Sequence, residues 1–335
     1  MNLRFRLPGI CLASACTASA QQVHAIGNIF KPLATPADSI KDLSVLTLSV
    51  SAAIFAVVAG LLAYAIFKFR ARPGDDQTEP AQVYGSNQIE IAWTVIPILI
   101  VFVLTMSTAR VIAALQDKRQ TADELQVTVV GHQWWWEFRY PTLNLVTANE
   151  LHVPLNTPAR PRQTYFTLES ADVAHSFWVP QLSGKTDVIP NRSNHMWFDP
   201  RETGVYFGNC AEYCGTQHAN MLIRVVVDSP EDFEKWVADQ KQAAGAQPGR
   251  DTFMSLSCVN CHTVNGTSAV GKFGPDLTHL MSRQTIASGM IPNTAENLRA
   301  WIKDPQEIKP GNLMPNMQLN EKEIDQVVAY LSALK

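Results

Sequence analysis

The chain has 335 residues, with 27 lysines and arginines against 30 aspartates and glutamates, for a net charge of −3. That length predicts two or three units, and without a basic excess or a Lys/Arg-rich block the charge argues against nucleic acid as the main partner. No Gly-rich phosphate loop, G-x-S-x-G or H-E-x-x-H occurs, which removes the commonest phosphate-binding and hydrolase chemistries.

Residues 1–20 read as a signal peptide: Arg4 and Arg6 precede a short apolar stretch, and Ala18-Ser19-Ala20 offers a small-residue cleavage site. Cleavage before Cys16, as in a lipoprotein, is the alternative. Either way Cys11 and Cys16 belong to the targeting segment, leaving Cys210, Cys214, Cys258 and Cys261. In an exported protein the simplest use of four cysteines is two disulfides.

After an extracytoplasmic segment at residues 21–42, no charge occurs between Asp42 and Lys68, nor between Glu90 and Arg110. Spans at about residues 43–67 and 91–112, within a hairpin at 43–115, can each cross a hydrocarbon core about 30 Å thick. A buried helix pair in a soluble core is the competing reading, but apolar residues surround the first run on every side. Pro97 is tolerable in a membrane helix. Lys68, Arg70 and Arg72 favour an inside loop, although Lys118 and Arg119 weaken that rule. With the leader, the orientation is N-terminus out, hairpin loop in, everything after Leu115 out.

From Leu125 to Asp228 short β-branched and aromatic segments alternate with Pro, Gly and Asn, predicting a small antiparallel β-sandwich or barrel within residues 121–228. A helix starts at Ser229, with Pro230 at its first position and Phe233, Trp236 and Val237 on its buried face. "AAGAQPGR" then reads as a joint, so residues 229–250 are helix and linker. Residues 251–335 read as helical. In the last helix Asn320 and Glu323 form a capping box, and Ile324, Val327, Val328 and Leu331 form one apolar stripe.

Two stretches carry chemistry. "CVNCH", Cys258 to His262, is the C-x-x-C-H attachment motif of a c-type haem: both thiols can bond the porphyrin, and His262 can reach the iron. A thioredoxin-like pair or a partial zinc site is the alternative. "GPDL" at 274–277 and "NLMPNM" at 312–317, before a terminal helix, resemble the class I cytochrome c fold. That resemblance implies Met314 as the second axial ligand, with Met317 the weaker candidate, and the Pro275 backbone as the group orienting His262. A Met/His pair suits electron transfer more than oxygen binding.

"CAEYCGTQHANM", residues 210–221, brings Cys210, Cys214, His218 and Met221 together in a loop between two strands. With His175, zinc in a Cys₂His₂ site is chemically reasonable. Blue copper needs one cysteine, two histidines and a weak methionine. The pattern has one thiolate too many for blue copper and a thioether that structural zinc does not need. Two thiolates can instead bridge two coppers, leaving one histidine for each, with Met221 and a backbone carbonyl as weak ligands.

C-x-E-x-C-x-x-x-H-x-x-M, with His175 in "HSFW", resembles the dinuclear copper (CuA) site of cytochrome c oxidase subunit II. "GHQWWWEF" at 131–138, "KTDVIP" at 185–190 and "EIAWTVIP" at 90–97 extend the resemblance over about residues 40–228. The last domain resembles that of oxidases whose subunit II carries its own cytochrome c. The resemblance implies a two-helix membrane hairpin, then a cupredoxin-like antiparallel β-sandwich, then an all-α class I cytochrome c domain. It implies CuA at His175, Cys210, Glu212, Cys214, His218 and Met221, with the Glu212 carboxylate also on a magnesium shared with subunit I. Haem c is implied at Cys258, Cys261, His262 and Met314, electron input at Trp134, and the mouth of a proton path at Glu90. His24, His132, His152, His195 and His279, with Met281 and Met290, read as structural or exposed.

The implied function is electron input to a haem-copper terminal oxidase. A cytochrome c or other donor would reduce the haem, and subunit I would reduce dioxygen and pump protons in a bacterial inner membrane, with subunit III as a further partner. The chain itself lacks the histidine-rich helices needed for dioxygen-reducing haems. A flexible tether would give the haem an effective concentration on the order of mM at the copper site. The alternatives are a membrane-anchored carrier without catalysis, the electron-input subunit of a nitric oxide reductase, and a structural zinc protein.

Overall fold

The computed structural model describes residues 27–70, 82, 84–116, 124–245 and 247–335. The expected leader, with Cys11 and Cys16, and most of the hairpin loop lie outside the described residues. Two long helices come first, α1 (Thr35–Lys68) and α2 (Asn87–Gln116). Their apolar middles are exposed throughout, as lipid-facing surfaces are and core helices are not. Both extend beyond the expected spans, and the start of α1 and the end of α2 are tied to the domain that follows. Thr35, beside the Pro36 of the first turn, donates its N–H and hydroxyl to Asp199 at 2.7 and 2.6 Å. At the end of α2 the Leu115 carbonyl accepts from the Trp197 indole at 3.1 Å. The start of α1 and the end of α2 are therefore both held against the sandwich.

The next domain is a sandwich of two five-stranded sheets. One holds β1 (Leu125–His132), β2 (Trp135–Tyr140), β3 (Leu145–Ala148), β5 (Thr164–Ser170) and β8 (Asn194–Phe198). The other holds β4 (Glu150–Pro154), β6 (His175–Trp178), β7 (Thr186–Val188), β9 (Gly204–Cys210) and β10 (Leu222–Asp228). The antiparallel expectation needs one correction: β1 pairs parallel with β5, and β10 parallel with β4. Strand crossovers between sheets, as in cupredoxin-like sandwiches, bring these strands side by side in the same direction. Phe138, Phe166, Phe177, Phe198 and Trp136 fill the space between the sheets.

Helix α3 (Pro230–Gln240) is capped by Ser229, whose hydroxyl accepts from the Asp232 N–H. It packs Phe233, Trp236 and Val237 on the sandwich, as its periodicity predicts. The last domain contains α4 (Arg250–Ser255), α5 (Cys258–Cys261), α6 (Ala295–Lys303), α7 (Pro305–Ile308) and α8 (Glu321–Ser332), with one two-stranded ribbon, Thr285–Ile286 against Ile291–Pro292. In α8 the Asn320–Glu323 capping box is formed, and Ile324, Val327 and Leu331 are buried.

Candidate metal and haem sites

The first site lies where the end of β9 and the loop before β10 meet the start of β6. Alternation along β9 turns Cys210 inward, and a 3₁₀ turn at His218–Asn220 returns the chain so that Met221 is fully buried. The Cys210 and Cys214 sulfurs are 3.7 Å apart. A disulfide requires about 2.05 Å, so the disulfide reading fails, and all four described cysteines are free. His175 Nδ1 lies 3.9 Å from the Cys210 sulfur, and His218 Nδ1 lies 3.6 Å from the Cys214 sulfur. The Glu212 carbonyl is 3.2 Å from Cys210 Sγ, and Met221 Sδ is 3.9 Å from Cys214 Sγ.

The donors thus form two halves that share a pair of sulfurs. Each half has one imidazole Nδ1 and one weak donor. Around a single tetrahedral zinc, all four ligand atoms would lie about 3.3–3.8 Å from one another. His175, Cys210 and Cys214 converge within 4.8 Å, but His218 stands outside that cluster, beyond Cys214. Two bridged ions fit this arrangement better than one.

The charge state also fits. Cys214 donates toward Cys210, which holds one thiol of the pair well below the ordinary range and the other well above it. One proton leaves easily and the second needs a cation in its place. Burial is the largest influence and would lower His175, but Asp172 and Cys210 together outweigh it and raise the ring. Asp172 Oδ1 lies 2.8 Å from His175 Nε2, so the ring presents Nδ1 to the sulfurs. Gly131 is required behind this ring, because a Cβ there would stand 2.8 Å from His175 Cδ2. Asp172 was not expected from sequence, although its place three residues before a histidine is a weak signal.

The second site is an apolar cavity of about 310 Å³ whose lining includes Cys258, Cys261, His262, Met314 and Met317. His262 Nδ1 donates to the Pro275 carbonyl at 2.7 Å, as the resemblance implied, leaving Nε2 for an iron. Burial lowers the His262 pKa, favouring the neutral ring that a metal needs. A Cβ at Gly274 would lie 2.6 Å from His262 Cε1, so only glycine allows this approach. The Met314 backbone is fixed at both ends: its N–H donates to Asn312 Oδ1 and its carbonyl accepts from Gln306 Nε2, each at 2.8 Å. Arg283, buried at the cavity wall, keeps its Nε without a hydrogen-bond partner among the described residues. A buried cation beside an apolar slot fits the carboxylate arms of a porphyrin.

The copper-type domain supplies part of this cavity's wall, through His132, Trp134 and Trp135. Trp136 is the core tryptophan, packed edge-on to Phe177. Trp135 stacks on His132 with ring centroids 4.2 Å apart. Trp134 departs from the expected surface position: it is 8% exposed, packed in the sandwich core cluster and also lining the cavity shared with the last domain. Its indole N–H donates to the Cys214 carbonyl at 2.9 Å, which joins the two sites. Glu212 has its carbonyl at the sulfurs and its side chain exposed. Glu90 is exposed in the first turn of α2, at the end remote from the sandwich.

Three family descriptions match in chain order: the transmembrane domain of cytochrome c oxidase subunit II over residues 20–111, its periplasmic domain over 144–229, and cytochrome c over 246–335. Cytochrome c oxidase subunit 2 of Alkalihalophilus pseudofirmus is 36% identical over 91% of this chain and 90% of its own length. That of Bacillus subtilis is 34% identical, covering 91% of both. Among solved structures, the periplasmic domain of subunit II of the Bradyrhizobium japonicum cytochrome oxidase is 32% identical over 36% of this chain and 96% of its own, with a TM-score of 0.34. The chain is membrane-anchored and belongs to the cytochrome c oxidase subunit II family, in a form that carries a C-terminal cytochrome c domain.

Proposed function

We propose that the chain is the electron-input subunit of a haem-copper terminal oxidase in a bacterial inner membrane. Haem c and a dinuclear copper pair supply two one-electron stations between an outside donor and subunit I, where dioxygen is reduced to water with proton pumping. The observation that carries this reading is the Trp134 bridge: its indole is on the Cys214 carbonyl, and the residue lines the haem-type cavity.

Cys258 and Cys261 would bond the porphyrin, with His262 Nε2 and Met314 as axial ligands. Met317 lines the same cavity, but its backbone lacks the paired anchors that fix Met314. Cys210 and Cys214 would bridge the coppers, with His175 Nδ1 and the Glu212 carbonyl on one side, and His218 Nδ1 and Met221 on the other. The exposed Glu212 carboxylate is a hard oxygen donor suited to a magnesium shared with subunit I. Glu90 would face the inner side and form the mouth of a proton path into subunit I. Subunit III and a cytochrome c or similar donor complete the assembly.

Optical and EPR spectra of the purified complex test the reading. A low-spin c haem together with a multi-line mixed-valence copper signal is expected. One zinc and no copper would refute it.

A further inference from the structure

Lys309, just after α7, is 3% exposed. Its ammonium donates to the carbonyls of Trp134 at 2.8 Å, Asn220 at 2.9 Å and Ala287 at 3.4 Å. Three donors meet three carbonyls, so the head group is fully used. Two of those carbonyls belong to the sandwich domain, and each leads to a copper-site residue. Trp134 is bonded to Cys214. Asn220 immediately precedes Met221. On the other side, the Lys309 carbonyl accepts from Asn312, whose Oδ1 holds the Met314 N–H. One buried side chain therefore connects the loops of both candidate sites.

A second charged contact runs in the opposite direction. Glu150 of β4, 2% exposed, accepts from the backbone N–H groups of Gln284 and Thr285 and from the Thr285 hydroxyl, all at 2.9 Å. Arg224 of β10 supports it, donating to Gln284 Oε1 at 2.6 Å. Close by Lys309, Gln217 Nε2 donates to the Pro310 carbonyl at 2.6 Å. Burying a cation from one domain and an anion from the other is costly unless each finds its partners. In a shifted register Lys309 would lose its sandwich carbonyls and Glu150 the Gln284 and Thr285 amides, although Glu150 would keep Arg224 beside it at 3.5 Å. These contacts therefore specify orientation more than they add raw adhesion, and a freely swinging tether would need none of them.

We propose that Lys309 is a positioning residue for electron transfer between the two centres. It fixes the Met314 loop in one register on the Trp134–Cys214 and Asn220–Met221 segments, with Glu150 as the reciprocal anchor, so the haem domain works permanently docked. The inference rests on the reading that haem c and the copper pair occupy the two sites.

The test uses the intact oxidase complex as wild type, Lys309→Met and Glu150→Gln. Hydrogen exchange is followed at Gln284 and Thr285, and haem-to-copper transfer is timed after flash reduction in buffers of increasing viscosity. A docked wild type gives protected amides and a rate independent of viscosity. Lys309→Met, with its haem and copper spectra intact, should transfer on the order of 10-fold or more slowly. Its rate should become viscosity-dependent, and both amides should exchange faster. A wild-type rate that falls with viscosity overturns the proposal, as do Lys309→Met kinetics and exchange equal to wild type. If Lys309→Met loses a cofactor, Glu150→Gln decides by the same two readouts, since it lies away from both ligand loops. Absence of the copper or haem signal in wild type would sink the functional reading instead, and amide exchange would still report on docking.

Discussion

Replacing Asp172 by asparagine keeps the shape of the carboxylate and removes its charge, and the hydrogen bonds around it give the expected cost. Oδ1 faces His175 Nε2 at 2.8 Å and the Val173 N–H at 2.6 Å, while Oδ2 accepts the Gln133 N–H at 2.6 Å. An amide accepts at one end only. If its oxygen stays on His175, its NH₂ meets the Gln133 N–H and displaces the residue next to Trp134. If it turns the other way, His175 loses the acceptor that aims Nδ1 at the sulfurs. Loss of such an orienting partner costs about 10- to 100-fold in metal affinity, equivalent to about 1.4–2.8 kcal/mol. Competition with a copper chelator measures the affinity, and haem content serves as the internal control, expected unchanged. Copper affinity within about twofold of wild type would refute the idea that Asp172 sets the ring.

Three further outcomes follow from the same geometry. Gly274→Ala puts a methyl 2.6 Å from His262 Cε1; the ring must shift off the Pro275 carbonyl, which should destabilise the haem domain by about 2–4 kcal/mol and add a high-spin component to the haem spectrum. Met314→Leu should abolish the sulfur-to-iron charge-transfer band and lower the haem potential, while Met317→Leu should leave both in place. Burial alone would raise Glu137, but His132 and Arg139 outweigh it, so its folded pKa lies below the ordinary 4.5. That stabilisation is fully present above 4.5 and is lost as pH falls through the depressed folded value. Unfolding followed across this acid range should therefore show a shallower pH dependence in Glu137→Gln than in wild type.

Local signals were legible in the sequence because short spacing alone determines them. The capping box at Asn320 and Glu323, the Ser229 cap and the ligand run from Cys210 to Met221 each lie within one turn or one loop. The parallel strand pairs were not legible, since strand composition carries no direction across a sandwich. Lys309 lies 175 residues from Trp134 and reads in isolation as an ordinary solvated loop lysine. Glu150 likewise reads as an ordinary strand acid until the partner domain's amides arrive at it. The tryptophan run shows the same limit. Trp136 points into the core, as alternation allows, but Trp134 and Trp135 also line a cavity shared with a domain more than a hundred residues away in sequence.

The two oriented histidines show why fixed rings matter to a relay, and they do it with opposite nitrogens. His175 lies on β6, with the Cys210 sulfur close beside its strand, so the near nitrogen Nδ1 faces the metal position and Nε2 is held by Asp172. His262 leaves the end of the short α5 with Nδ1 held by the Pro275 carbonyl, so Nε2 is the nitrogen that would face an iron. In both cases a glycine, Gly131 or Gly274, lets the backbone close behind the ring and blocks its retreat. A ring clamped on two sides would resist re-orienting if the charge on a bound metal changed, and such rigidity would keep the rearrangement accompanying each electron small. The same logic extends to the bond between Trp134 and the Cys214 carbonyl and to the Lys309 ammonium above it. Each fixes a distance that a tether alone would leave to chance.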